Sequence, residues 1–445
     1  MGAIELIPSA KRLMKSLRDM GYDFAQAVAD IVDNSVEAGA TLVAIDLEFD
    51  GDDSWVRVAD NGRGMKPEEL REAMRYGAER EYDKEDLGKF GLGLKTASMS
   101  QCRCLSVASR WNADRADIAA YAWDLGHIER TNRWEILPIE RNGLGPAIRE
   151  PLKNTTGTVV LWQRLDRILG YKLPYGEAAR KRLAQMCREI ETHLSMVFHR
   201  FLSGESQTKK FTLRVNGNEI EPWDPFARKE AKTRKLDSIT IPIEHEGIVG
   251  EVQFQPYVLP HQDEFSSRDA FHAAGGPASW NQQQGFYIYR AGRMIQSGGW
   301  SNLRAADEHL KLARVAVSFL PILDDAFKIN VAKMRVQLPS QIREPVRDKM
   351  APVVKLARET YDRKQPQSVG TGSTLAQRKP LQSASEAPGT TLNSSDMSAA
   401  KASRSSSALT LEEWSREMLA TATISERPIV ESVLQRLRAK LPSRP

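Results

Sequence analysis

Apolar residues recur at helical spacing early in the chain. With about 100° per residue, Phe24, Ala27, Val28, Ile31, Val32, Ser35 and Val36 share one broad face, and a helix over 24–38 is predicted, with Asp23 and Gln26 able to cap its start. Asp30, Asn34 and Glu37, spaced i, i+4, i+7, gather on the opposite face. The stretches "TLVAIDLEFD" and "WVRVADNGRGM" flank an acidic turn and predict two strands joined in a hairpin. A glycine-opened helical pattern follows in "LGKFGLGLKTASMS", and "NTTGTVVLW" predicts a further strand. Helical and strand patterns keep alternating to about residue 203.

A polar break, "SGESQTKK", then precedes the strand pattern "FTLRVNGNEIEPWDPF", read as the start of a second domain. That domain continues through "GFYIYRAGRMI" and "RVAVSFLP" and ends in the helical "SQIREPVRDKMAPVVKLARETYDRK". From 364 to 407 large apolar residues almost vanish among Ser, Gly, Ala, Pro, Thr and Gln, the composition of a disordered linker. Beyond it, Thr410 and Glu413 offer a capping box, and "PIVESVLQRLRAKL" repeats apolar residues at helical spacing. The expected organisation is α+β: a domain over 1–203, a second over 204–363, a linker over 364–407, and a short helical tail over 408–445 suited to a protein partner.

Composition narrows the class without choosing a function. A chain of 445 residues exceeds one compact core. Its 41% hydrophobic and 27% charged residues describe a soluble globular protein. A net charge of +5, spread thinly, permits a nucleic-acid partner without requiring one. Cys102, Cys104 and Cys187 make neither a disulfide framework nor a zinc site. No apolar run nears the roughly 20 residues of a membrane span, and no signal-peptide pattern opens the chain, so no membrane contact and a cytoplasmic location are expected.

The polar positions carry the chemistry. An Asp at a strand end, Asp60, can accept a hydrogen bond from an exocyclic amine, and Gly62 and Gly64 after it allow backbone to approach a flat ring. Gly88, Gly91 and Gly93 open a helix, where backbone N–H groups and the positive helix end favour a phosphate chain. Their spacing is not the dinucleotide fingerprint, since the strand-first context is missing. Thr158 beside Gly157 can hydrogen-bond a polar ring or cap a turn.

In this order and spacing, "DNSVEAGA", "DNGRGM", "GKFGLGLKTASMSQ" and "NTTGTVVLW" resemble the signature boxes of the GHKL ATPases, the superfamily of gyrase, 90-kDa heat-shock chaperones, histidine kinases and MutL mismatch-repair proteins. The resemblance covers residues 20 to 165 and is closest to the bacterial MORC-like and MutL-like branch. It implies a Bergerat α/β sandwich that binds ATP and Mg²⁺, followed by a β-α-β transducer-like domain. It also implies roles: Asn34 on Mg²⁺ through its amide oxygen, Asp60 on the adenine amine with Thr158 in support, and Met65 against the ring. Gly88, Gly91 and Gly93, with Phe90, Leu92 and Leu94 between and after them, would cradle the phosphates, and Lys89 or Lys95 would add charge. The charged "KPEELREAMRYGAEREYDKEDL" would be the mobile lid over the nucleotide.

Where hydrolytic relatives usually carry Glu four residues before the Asn, this chain has Asp30, one methylene shorter, and slow hydrolysis is expected from it. Asp33 is the competing carboxylate, less favourably placed around the helix. In the second domain "KINVAKMRVQL" resembles the MutL-type loop that sends a lysine to the γ-phosphate, which assigns Lys333, with Lys328 as its rival. The strand "FYIYRAGRMI" resembles another MutL segment, and its Arg290 and Arg293 are expected to be surface charges. His193 and His199 do not share a helix face and belong to a packed helix joining the domains. The implied activity is an ATP-driven clamp that forms a homodimer on ATP and acts on DNA or a DNA-processing complex, in repair, restriction or phage defence. The alternatives are an ATP-gated scaffold with little turnover and a chaperone working on protein partners. A histidine kinase would need a phospho-acceptor upstream, and the first histidine is His127.

Overall fold

A computed structural model describes residues 6–19, 21–77, 93–115, 117–170, 173–205, 210–329 and 336–363. The linker and tail expected over 364–445 lie outside the described residues. Helix α1 (Ala10–Arg18) precedes α2 (Phe24–Glu37), whose N-cap Asp23 accepts from the Ala25 and Gln26 N–H groups as its sequence position implies. Strands β1 (Leu42–Glu48) and β2 (Trp55–Asp60) form the expected hairpin, with Val43 opposite Asp60. Helix α3 (Pro67–Met74) starts on a proline, where the missing N–H costs nothing. Then come α4 (Gly93–Gln101), β3 (Cys104–Arg110), β4 (Ala119–Asp124), α5 (Leu125–Thr131), β5 (Leu137–Pro138), α6 (Pro146–Arg149), β6 (Gly157–Gln163), α7 (Glu177–Val197) and α8 (His199–Leu202).

The first sheet has eight strands in the order β5-β4-β3-β6-β2-β1-β7-β8, antiparallel except where β1 and β7 (Thr212–Val215) run parallel; β8 (Asn218–Glu219) is its edge. Strand β7 lies within "FTLRVNGNEIEPWDPF". The stretch read as opening a second domain therefore completes the first sheet, docking on β1 through pairs such as Val43 with Leu213. Two-residue alternation splits the side chains between two faces. Val58, Val107 and Val160 face the helices, joining Val28, Ile31 and Val32 of α2, Ala97 of α4 and Ile190 of α7. Ala59, Ala108, Val159 and Leu161 face the other way, under Leu144, Ile148 and Leu152.

The second sheet comprises β9 (Arg234–Lys235), β10 (Ile239–His245), β11 (Ile248–Val258), β12 (Gly285–Arg290), β13 (Arg293–Gln296) and β14 (Ala313–Phe319), with helix α9 (Arg268–Gly275) between β11 and β12. Its order is β10-β11-β14-β12-β13, with β9 on β11 and a parallel β12–β14 pair at the centre. Helix α10 (Ser340–Tyr361) closes it, burying Ile342, Val346, Met350, Val353 and Ala357 at helical spacing. Helices α7 and α8 bridge the two sheets: His199 Nε2 lies 2.8 Å from the Tyr289 hydroxyl, and Arg200 stacks 3.5 Å above the Tyr289 ring. His199 is thus a packed residue of α8, while His193 lies on α7. Among the described residues no helix is long and apolar enough to cross a membrane, and no group of three His, Cys, Asp or Glu could hold a metal.

Candidate functional site

The C-terminal end of β2 delivers Asp60 to the edge of the helix layer. Its Oδ1 accepts from the Gly62 N–H at 2.8 Å and from the Thr158 N–H at 3.2 Å, and its Oδ2 accepts from the Ser35 hydroxyl at 3.1 Å. Three elements, the turn after β2, β6 and α2, thus fix one carboxylate. Burial pushes its carboxyl up, and the three hydrogen bonds work against that shift. Ser109 on β3 ties the same corner together. Its hydroxyl accepts from the Met65 N–H at 2.8 Å, donates to the Gly157 carbonyl at 2.9 Å, and lies 3.1 Å from Thr158 Oγ1.

Two glycines make this geometry possible. Gly64 has φ +68°, and a Cβ there would stand 2.1 Å from the Arg110 carbonyl; Gly157 has φ +149°, and its Cβ would stand 1.9 Å from the Asp60 carbonyl. Both lie where only glycine fits without strain. The close approach served by Gly64 is therefore to the chain's own β3. Gly62 is similarly tight against Ala38, at 2.8 Å for a built Cβ.

Along α2, Asn34 is exposed while Asp30 and Asp33 are buried. The Gln26 amide lies 3.5 Å from Asp30 Oδ1. Arg293, at the start of β13, crosses from the second sheet: its Nε donates to Asp33 Oδ1 at 2.8 Å and its Nη2 to Asp30 Oδ1 at 3.4 Å. The expectation that Arg290 and Arg293 are surface charges is overturned. Each is 1% exposed, and Arg290 forms a two-pronged pair with Asp324, both contacts 2.8 Å. A guanidinium survives burial when carboxylates accept its fork. Asp33, set aside on helix angle, is the stronger of the two anchors for Arg293.

Gly93 begins α4 with no atom of the described residues within 4 Å of where a Cβ would stand, and Leu94 packs partly against the core. Lys95 is buried; its ammonium donates to the Ala73 carbonyl at 2.9 Å, and burial pulls it down to about 8. Gly88, Lys89, Phe90, Gly91 and Leu92 lie outside the described residues, as does Lys333. Lys328 is exposed in a left-handed conformation, φ +49°, two residues before that gap. The stretch read as a lid begins as a packed helix: Leu70 and Met74 of α3 are fully buried, and the Met74 carbonyl accepts from Trp123 Nε1 at 2.9 Å. The remainder, from 78, lies outside the described residues.

Ser35, Ser109 and the Asp33–Arg293 pair were not legible as site residues. Ser35 had a signal, standing directly after Asn34 at a position otherwise apolar. Arg293 had one too, a charge inside the apolar "FYIYRAGRMI". Ser109 had none, since a serine in a strand is ordinary.

The donor set suits an adenine nucleotide with a hard cation: a held acceptor for an exocyclic amine at Asp60, an exposed amide oxygen at Asn34, and a glycine-opened helix at Gly93. Residues 22–158 match the family described as "Histidine kinase-, DNA gyrase B-, and HSP90-like ATPase". Curated relatives include DNA mismatch repair protein MutL of Haemophilus influenzae (strain PittGG), 26% identical over 220 residues, covering 48% of this chain and 30% of that protein. MutL of Shewanella woodyi (strain ATCC 51908 / MS32) is 24% identical over 257 residues, covering 54% and 37%. MutL of Herminiimonas arsenicoxydans is 26% identical over 211 residues, covering 46% and 30%. The match thus spans about a third of these relatives' own length. Residues 22–158 are thus similar to GHKL ATPase domains, that of MutL among them.

Proposed function

We propose that this protein is a slow, Mg²⁺-dependent ATPase clamp that dimerises on ATP and acts on DNA or a DNA-processing complex. The observation that carries the reading is the Asp60 carboxylate, held from three elements, one of them the helix that exposes Asn34. Relatives named for DNA mismatch repair support DNA as the target.

In this reading Asp60 accepts the adenine amine, and the Thr158–Ser109 hydroxyl pair supports the ring's polar edge. Asn34 presents its amide oxygen to Mg²⁺, which would offset phosphate charge. Gly88, Gly91 and Gly93 turn backbone N–H groups to the phosphates, with Lys89 or Lys95 adding charge. Asp30 takes a proton from the attacking water. Lys333, or Lys328 in its place, reaches the γ-phosphate from the second domain, so that the two domains report nucleotide state. The tail over 408–445 engages a protein partner.

A second reading, an ATP-gated scaffold with little turnover, draws on Asp30 itself: its carboxylate is short, buried and engaged by Arg293. Steady-state ATP hydrolysis with and without duplex DNA, on wild type and Asp30→Asn, separates the two. Turnover raised by DNA and abolished by the substitution is expected. Tight nucleotide binding with no turnover in either protein would favour the scaffold, and loss of the monomer peak with a non-hydrolysable ATP analogue would test dimerisation.

A further inference from the structure

We infer that Arg293, anchored by Asp33, is a positioning residue that sets the Asp30 carboxylate and makes turnover depend on the second sheet. The inference rests on the reading of Asp30 as the base.

Three buried charged side chains meet here across more than 250 residues of sequence. Arg293 is 1% exposed, Asp33 1% and Asp30 3%. The guanidinium divides its fork unequally. Its Nε makes the short contact, 2.8 Å, to Asp33, and its Nη2 the longer one, 3.4 Å, to Asp30. The shorter contact makes Asp33 the closer anchor of the guanidinium, and the second nitrogen faces the Asp30 carboxylate one helical turn away.

The arginine is also rigid on its own side. It follows a tight turn at Ala291 and Gly292, both with positive φ (46° and 85°). The preceding strand is locked by the Arg290–Asp324 fork and by the 2.8 Å contact between Tyr289 and His199. Its guanidinium carbon stands 5.9 Å from the centre of the Phe198 ring. A displacement of the β12–β13 hairpin relative to α2 thus moves a cation directly at Asp30. A general base works only when its oxygen is aimed at the water to within a fraction of an ångström. A fixed charge 3.4 Å away, carried by a different sheet, provides that aim and links it to the domain that bears Lys328 and Lys333.

Arg293→Met alone would leave two buried carboxylates facing each other and could prevent folding. The informative variant is the double substitution Arg293→Met with Asp33→Asn, which removes the pair together, alongside Arg293→Lys, which keeps the charge and loses the fork. Three quantities are read: thermal midpoint, Kd for a fluorescent ATP analogue, and kcat at saturating ATP. The double variant is expected to fold and bind the analogue within about threefold of wild type, with kcat reduced at least tenfold, and Arg293→Lys to fall between the two. A folded double variant with unchanged kcat would overturn the inference. So would parallel loss of affinity and kcat, the mark of a purely structural bridge. A wild type that binds nucleotide but never turns over would overturn this inference together with the hydrolytic reading. Wild-type turnover that Asp30→Asn abolishes and the double variant keeps would overturn this inference alone.

Discussion

A single carboxylate, Asp60, separates what fold requires from what function requires. Asn in its place can still accept from the Gly62 and Thr158 N–H groups through its oxygen and turn its NH₂ toward the Ser35 hydroxyl, so the local scaffold survives. What it cannot do is accept from an exocyclic amine on the same side. Asp60→Asn is expected to weaken ATP-analogue binding by at least about a hundredfold, roughly 2.7 kcal/mol, with a thermal midpoint close to wild type; fluorescence titration and a melting curve check both halves. Lys95 makes a pH prediction. Its folded value is lowered to about 8, mainly by burial, so the ammonium is present below that pH and lost above it. If it serves the phosphates, affinity for ATP falls as pH rises through about 8, and Lys95→Met removes that dependence while weakening binding at pH 7. The same depression means that the folded state gains stability between about pH 8 and the ordinary lysine value of 10.5, where the unfolded chain still holds the proton.

At the scale of elements, the strand ends decide the site. The start of β6 and the end of β2 approach so closely that Gly157 has no room for a methyl group. Gly157→Ala combines an unfavourable φ with an overlap on the Asp60 carbonyl and is expected to cost about 3 kcal/mol. It displaces the backbone that fixes Asp60, so chemical denaturation and nucleotide titration should both respond. A change at an open glycine such as Gly39, where nothing stands within 4 Å of a built Cβ, carries only the strain of its φ +71° and leaves binding intact. The parallel docking of β7 on β1 shows the same dependence on long-range pairing. Its four residues are ordinary strand formers, and their partner lies about 170 residues earlier.

Across the whole molecule, the junction between the sheets is built from groups that must stay neutral or paired. Burial lowers His193 to about 4 from 6.5 and lowers His199 as well, so both are neutral in the folded protein. Below pH 6.5 the unfolded chain binds protons that the folded junction refuses, and stability falls as pH falls from about 6.5 toward 4. Between pH 7 and 5 the loss from His193 alone is on the order of 2 kcal/mol. Urea denaturation at the two pH values should show it, and His193→Leu should shrink the difference by about that amount, leaving the part due to His199. Because α7, α8 and the β12–β13 hairpin meet at this junction, acid would loosen the same contacts that place Arg293.

Periodicity and short motifs sufficed to reveal the local elements and the ATPase resemblance of the N-terminal part. Helix α2 with its Asp23 cap, the β1–β2 hairpin ending at Asp60, the helix opened by Gly93 and the strand opened by Gly157 were all legible, because period, caps and turn residues act over a few positions. The expected ATPase family rested on the order of those short boxes and was matched over residues 22–158. Long-range packing alone shows that β7 completes the first sheet, that α3 packs rather than floats, and that Ser35 holds Asp60 while Ser109 ties Met65, Gly157 and Thr158 around it. It also turned Arg290 and Arg293 from expected surface charges into buried ones. A charged residue is read as exposed until its partner is known, and the partners of Arg293 lie 260 and 263 positions away. No local pattern reports a cost of burial that is offset by a carboxylate arriving from another layer of the fold.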